Sequence, residues 1–498
     1  MNRNKGKMLA ALLLALLLLP TLVFANGQKE VPAQAQSMEQ TAAKYVFVFI
    51  GDGMSMAQVN SAEIYANALS NKDIRIQQLG FTRFPVSGLT TTYDASSFIT
   101  DSASSGTAIA SGNKTLSGVI NMDTGKTVAF TTIAELAKQA GYKVGVISNV
   151  SLDHATPAAF YAKVPSRSNM YDIAVQLTQS GFDYFGGGGF AQPTGKNKDQ
   201  PDVIGLAKAA GYTYINDPVA FRALTPAVGK VIAVNATLQD SAAMPYDMDR
   251  QSDDLALADY VAKGIELLDN ENGFFLAVES GKIDWACHAN DAAASINDTL
   301  AFDRAIAKAV AFYEQHPEDT LIIVTGDHET GGMTLGFAGT KYSTFFDRIG
   351  LQKGSFVAFD QQVLKPYKTA TSAAAARLAD LMPQVEAWFG IKFADLADHE
   401  KEQLERAFQR SMGNELERAV QENTYLMYGG YEPFTVKVIH IMNQYAGIGW
   451  TSYSHTGVPV ATFALGKGAD LFGGYYDNTD IFRKLTAVMR LETLVSRR

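Results

Sequence analysis

Short apolar runs that end in polar residues punctuate the chain, and they restrict it to few architectures. Residues 45–50 read Tyr-Val-Phe-Val-Phe-Ile before Gly51-Asp52-Gly53, and similar runs recur at 143–148, 274–278, 321–325 and 460–465. They are rich in Val, Ile and Phe without clear apolar–polar alternation. That is how strands covered on both faces of a parallel sheet read. Helical patterns lie between them, at 131–139 and 292–314. The alternation predicts an α/β fold, a three-layer α/β/α sandwich around a central, mostly parallel sheet. Of the 498 residues 47% are hydrophobic, enough for a large core and against disorder of the whole chain.

Two segments stand apart from that pattern. Arg3, Lys5 and Lys7 precede a run of Met, Leu and Ala at 8–19, and Val23-Phe24-Ala25 offers a cleavage site. The run is too short to span a bilayer, so 1–25 is expected to be a signal peptide and the protein exported, periplasmic or secreted, with no membrane span after cleavage. An uncleaved anchor is the alternative; no Cys follows the run, which argues against a lipoprotein. Residues 26–44 read as a flexible leader. Between Gly332 and Ser454 strand-like runs thin out, and 339–450 is expected to be an insertion, a crown or lid, dividing the core into 45–338 and 451–498. A charged helical stretch at 398–428 carries Leu404, Phe408, Met412, Leu416 and Val420 at a spacing of four. This stripe packs on the insertion or, alternatively, binds a partner. Gly186 to Gly189 reads as a loop, since no GK[ST] follows.

The net charge is −9, from 42 basic and 51 acidic residues, without a Lys/Arg cluster. Signal cleavage would remove three positive charges and no negative one, giving −12. Neither value suits a nucleic-acid or anionic-membrane partner. Cys287 is the one cysteine, so no intramolecular disulfide forms; it reads as a packed residue, with a metal thiolate or nucleophile as the alternative.

Open α/β sheets place chemistry beyond the carboxyl ends of their strands. Here those ends supply Asp52, then His154 and Thr156, then Glu279, Asp284 and His288, then Asp327 and His328, with His455 just before the last run. Asp284-x-x-x-His288, if helical, puts a carboxylate and an imidazole on one face. With Asp327-His328 and His455 it suggests two Zn-like ions, while Asp52, Thr156 and Glu279 suit a Mg-like one. Ser102, in Thr100-Asp101-Ser102-Ala103-Ser104-Ser105-Gly106-Thr107-Ala108, is the nucleophile candidate if it opens a helix whose amides favour an anion. Otherwise that run is a loop. Arg167 has the fork for a tetrahedral oxyanion, or is a surface residue.

Taken together, FIGDGM at 49–54, TDSASSGTA at 100–108, HATPAAFYAKVPSR at 154–167, VESGKIDWACH at 278–288, TGDHETGG at 325–332 and HTG at 455–457 resemble the alkaline phosphatase family, in family order, from 45 to 466. The resemblance implies a phosphate monoester hydrolase in which Ser102 forms a phosphoseryl intermediate and Arg167, beside Asp101, clamps phosphate. It implies Asp284, His288 and His455 as ligands of one zinc, Asp52, Asp327 and His328 of a second, and Asp52, Thr156 and Glu279 of a magnesium. It also implies a homodimer. His154 and Trp285 stand at positions that vary in the family; Trp285 where others have Lys or His should weaken the hold on phosphate, or simply packs. A phosphodiesterase or sulfatase-like hydrolase, or a non-catalytic exported phosphate- or zinc-binding protein, are the alternatives. The sulfatase-type CxPxR or SxPxR context is absent around Ser102.

Overall fold

The computed structural model describes residues 42–70, 74–413 and 421–495. The expected signal peptide, nearly all of the expected leader, and Leu416 and Val420 lie outside the described residues. Fourteen strands follow in chain order: β1 (Tyr45–Gly51), β2 (Val86–Thr91), β3 (Lys143–Ser148), β4 (Tyr184–Gly187), β5 (Thr213–Ile215), β6 (Val231–Val234), β7 (Phe274–Ser280), β8 (Thr320–Gly326), β9 (Glu329–Thr330), β10 (Thr334–Leu335), β11 (Ile448–Gly449), β12 (His455–Thr456), β13 (Val460–Gly466) and β14 (Gly474–Asp477). Ten of them form one sheet in the order β14-β2-β13-β8-β1-β7-β3-β4-β6-β5. All five apolar runs are strands in it.

The absence of alternation in these runs has its explanation in the two faces of the sheet. Along β1, Tyr45, Phe47 and Phe49 enter one core, and Val46, Val48 and Ile50 enter a second on the opposite face. In β7, Phe274, Leu276 and Val278 join the first core while Phe275 and Ala277 join the second. Every second residue is therefore buried on one side and its neighbours on the other, which makes an α/β/α sandwich. The helix expected over 131–139 runs Ile133–Gln139, opened by a Thr132–Glu135 capping box; that over 292–314 runs Ala292–Tyr313.

Two features differ from a purely parallel reading. Strand β13 runs antiparallel to both β8 and β2, so its start, not its end, lies at the edge where β8 finishes. Gly186 and Gly187, read as loop, close strand β4. Gly187 sits at φ 119°, and a Cβ there would lie 1.9 Å from Ser148 O, a backbone approach that only glycine permits.

Within 334–449 the strands are two residues long, and they pair with each other: Thr334 opposes Gly449 and Leu335 opposes Ile448. The chain just before the expected insertion is thus paired with the chain near that insertion's far end. Helices Asp398–Ser411 and Pro433–Ala446 pack together inside it, with Phe408 and Phe434 rings 5.8 Å apart. Leu404, Phe408 and Met412 are buried there, as the packing reading of the stripe expects. Among the described residues no helix is long and apolar enough to cross a membrane.

Candidate active site

The residues singled out above meet at one edge of the sheet. Asp52 follows β1, Glu279 ends β7, and Asp327-His328 follows β8. Because β13 is reversed, β12 brings His455 to the same edge, paired through His455–Thr330 with the strand after His328. Asp284 and His288 lie one turn apart on the helix Lys282–His288, with Asp284 Oδ2 3.3 Å from His288 Nε2. At the turn after β1, Gly53 has φ 71°; from that left-handed position its N–H donates to Asp327 Oδ1 at 3.1 Å.

Three groups of metal-ligating atoms result: Asp284, His288 and His455; Asp52, Asp327 and His328; and Asp52, His154 and Glu279, each within 4.8 Å of one another. Thr156 adjoins the third group, donating from Oγ1 to Asp52 Oδ2 at 3.3 Å. The hydrogen-bond inventory fits cations. His288 Nδ1 meets Tyr453 O at 2.6 Å and His455 Nδ1 meets Thr100 O at 2.8 Å. A carbonyl only accepts, so both Nδ1 atoms carry the proton. The two Nε2 atoms then face each other at 3.2 Å. Burial lowers the His288 imidazole but Asp284 pushes it up to about 9, so a proton sits between them until a shared cation replaces it. Asp52 Oδ1, Asp327 Oδ2, Glu279 Oε1 and His154 Nδ1 are buried without a hydrogen-bond partner among the described residues.

Electrostatics point the same way. Burial first, then the charges of Asp327, Asp284 and Glu279, push the Asp52 carboxyl well above its ordinary range. Burial and neighbouring Asp284 push Asp327 up to about 8. Burial opposes the charge of Asp284 too, but His288, His455 and His328 hold its carboxyl well below the usual range. Four buried carboxylates crowded together cannot all ionise without positive charge among them, which cations held by these groups would supply.

Beside these groups, Ser102 opens the helix Ser102–Ser111, with Asp101 as its N-cap. Ser102 Oγ lies 3.3 Å from His328 Nε2. Asp101 Oδ1 accepts from Ser104 N and Gly118 N, both at 3.0 Å, and Arg167 Nη1 donates to Asp101 Oδ2 at 2.9 Å. Burial raises the Asp101 carboxyl, but Arg167 and these donors together keep it well below the usual range. The other arm of Arg167, Nη2, lies 3.0 Å from His154 Nε2, and the His154 ring meets Trp285 edge-on at 5.9 Å. Cys287 is buried against Ser295 and Gln58, its thiol pushed up by burial, which matches the packed reading.

Ser102, Arg167, His154, Asp284, Trp285, His288 and His455 line a pocket of about 260 Å³, together with Asp240, Ser241 and Tyr431. The last three carry no motif and no recognisable spacing. Ser148, which donates to Glu279, was equally silent in the sequence, whereas Thr330, which donates to Asp284, lies within TGDHETGG without the motif showing that role.

A family model described as alkaline phosphatase matches residues 43–491. Alkaline phosphatase 4 of Bacillus subtilis (strain 168) is 30% identical over 489 residues, covering 96% of this chain and 95% of that protein. A cold-active alkaline phosphatase from Shewanella sp. superposes with a TM-score of 0.72 at 30% identity, covering 89% of this chain and 99% of its own. That of Thermus thermophilus gives 0.74 at 28% identity, over 91% and 92%.

Proposed function

The chain belongs to the alkaline phosphatase family of metal-dependent phosphatases, and from that premise we propose that it hydrolyses phosphate monoesters through a phosphoseryl intermediate on Ser102. The single observation that carries this reading is that Ser102 Oγ, at a helix N-terminus, lies 3.3 Å from His328 Nε2 of one ligand group and shares its pocket with Arg167. Asp284, His288 and His455 would hold one zinc, Asp52, Asp327 and His328 a second, and Asp52, Thr156 and Glu279 a magnesium, with His154 adjoining. Bound there, the ions supply Lewis-acid charge that lowers the cost of ionising a hydroxyl and of gathering negative charge on phosphorus.

The remaining work falls to side chains of this protein. Arg167, already oriented by Asp101, offers its fork to the phosphoryl oxygens. Ser102 Oγ forms the bond to phosphorus as the ester P–O bond breaks and the alcohol leaves. Water then cleaves the phosphoserine, restoring the hydroxyl and releasing inorganic phosphate. The leading amides of the helix Ser102–Ser111 face the negative charge that builds in both halves. Export, a homodimer, and a crown or lid role for 339–450 complete the proposal.

Steady-state hydrolysis of an aryl phosphate by the zinc- and magnesium-loaded protein tests it. We expect turnover that rises between pH 6 and 11, collapses on chelation, and falls by roughly three orders of magnitude or more in Ser102→Ala. Equal turnover by Ser102→Ala would exclude the phosphoseryl route. A folded, metal-loaded protein without turnover would send the search to diesters and sulfate esters.

A further inference from the structure

The Asp240–Ser241 loop belongs to none of the three ligand groups, yet it forms part of the same pocket wall. Its backbone is unusual. Ser241 and Ala242 are consecutive non-glycine residues in the left-handed region, at φ 47° and 60°. That conformation is sterically unfavourable for L-residues and persists only where the surroundings hold it. Here Gly189 N donates to Ala242 O at 2.8 Å, and Ala243 N donates to Asp240 O at 2.9 Å. Strain retained at a pocket wall aims side chains that a relaxed loop would not.

Asp240 is also clamped from beneath. Lys282 is fully buried, and its Nζ pairs with Asp240 Oδ1, while the Asp240 side chain keeps 27% of its surface exposed. The same ammonium sits 3.8 Å from the centre of the Tyr246 ring and 5.0 Å from that of Trp285. A charge that is costly to bury is therefore placed so that it fixes one carboxylate and backs one indole. The result is a pocket wall with an accepting carboxylate, a serine hydroxyl and a flat aromatic face, and with Tyr431 alongside.

We propose that Asp240, Ser241 and Trp285 form a subsite for the leaving alcohol that favours hydroxylated rings, such as sugar or cyclitol phosphates, over alkyl or aryl esters, with Lys282 as the positioning residue for Asp240. Ring hydroxyls donate to Asp240 and exchange hydrogen bonds with Ser241, while the apolar face of the ring lies against Trp285. An alkyl chain in that place strips water from Asp240 and returns nothing, and such unpaired polar groups are what discriminate between substrates. The subsite rests on the monoesterase reading given above.

The test compares kcat/KM of the metal-loaded full chain for glucose 6-phosphate and for n-hexyl phosphate, both primary alkyl monoesters. The wild type should favour the sugar phosphate by about tenfold or more. Asp240→Ala should bring the ratio close to one through a higher KM for the sugar ester, leaving hexyl phosphate within about threefold. Lys282→Met should move the ratio in the same direction, which a purely structural lysine would not do. If Asp240→Ala does not fold, Ser241→Ala should still lower the ratio. A ratio near one in the wild type, or equal losses on both esters in Asp240→Ala, overturns the subsite and leaves the monoesterase reading standing. Failure of the wild type to hydrolyse either ester overturns that reading and the subsite with it.

Discussion

Asp360 shows what burial does to a single carboxyl when the nearby charge of Lys368 does not offset it. It accepts a hydrogen bond from Thr435 Oγ1 inside the insertion, and burial, reinforced by Glu432, pushes its carboxyl up to about 7. Its folded value then exceeds the unfolded one, so between about pH 4 and pH 7 the native state holds a proton that the unfolded chain has lost. Stability must fall as pH rises through that window and level off above it. Other buried carboxyls, Asp327 and Asp291 among them, contribute to the same slope, so Asp360→Asn should make it shallower by one group's share and raise stability at pH 8 by on the order of 2 kcal/mol, read from urea unfolding at pH 5 and pH 8; an unchanged slope would reassign the effect. At the metal-ligand groups the same carboxylates were legible in the sequence because motifs such as TGDHETGG place acid and imidazole together. Asp240 and Tyr431 were not. One owes its position to a strained loop and a buried lysine, and the other to an insertion whose path over the core no local pattern records.

Elements divide along the same line. The central strands announced themselves because both faces are covered, whereas β2, half-exposed and reading Val-Ser-Gly-Leu-Thr-Thr, and the three-residue β5 carry too little apolar signal to stand out. The reversal of β13 was also hidden, since a buried strand reads alike in either direction. One contact between elements is narrow enough to test. In the helix Ser102–Ser111, a Cβ on Gly106 would lie 2.9 Å from the Ala159 Cβ and near Thr156. The glycine lets the helix that starts with Ser102 approach the one that carries Thr156. Gly106→Ala gains about 1 kcal/mol of helix propensity but must push the two apart. We expect kcat/KM to drop by about tenfold or more with little change in melting temperature. A variant of full activity would show that the contact yields without moving Ser102.

At the scale of the whole molecule, the ligand groups bind five strand ends into one edge, so cation loss should be felt as lost stability as well as lost activity. Chelation leaves Asp52, Asp327, Asp284 and Glu279 facing one another in the interior. The melting temperature should fall by several degrees and recover when zinc and magnesium are restored, as linkage requires of ions that bind only the native state. A melting curve indifferent to chelation would place the ions elsewhere. The order in which the chain delivers these ligands has a further consequence for its synthesis. Asp52 meets Asp327 and His328 as soon as β8 exists, but His288 waits for His455, 167 positions later, beyond the whole insertion. A growing chain that has passed β8 but not reached His455 therefore has the residues of one group together and the other group still lacking its last member. Occupancy of the Asp284–His288–His455 group then marks that synthesis has passed the insertion, with β13 and β14 still to be laid down.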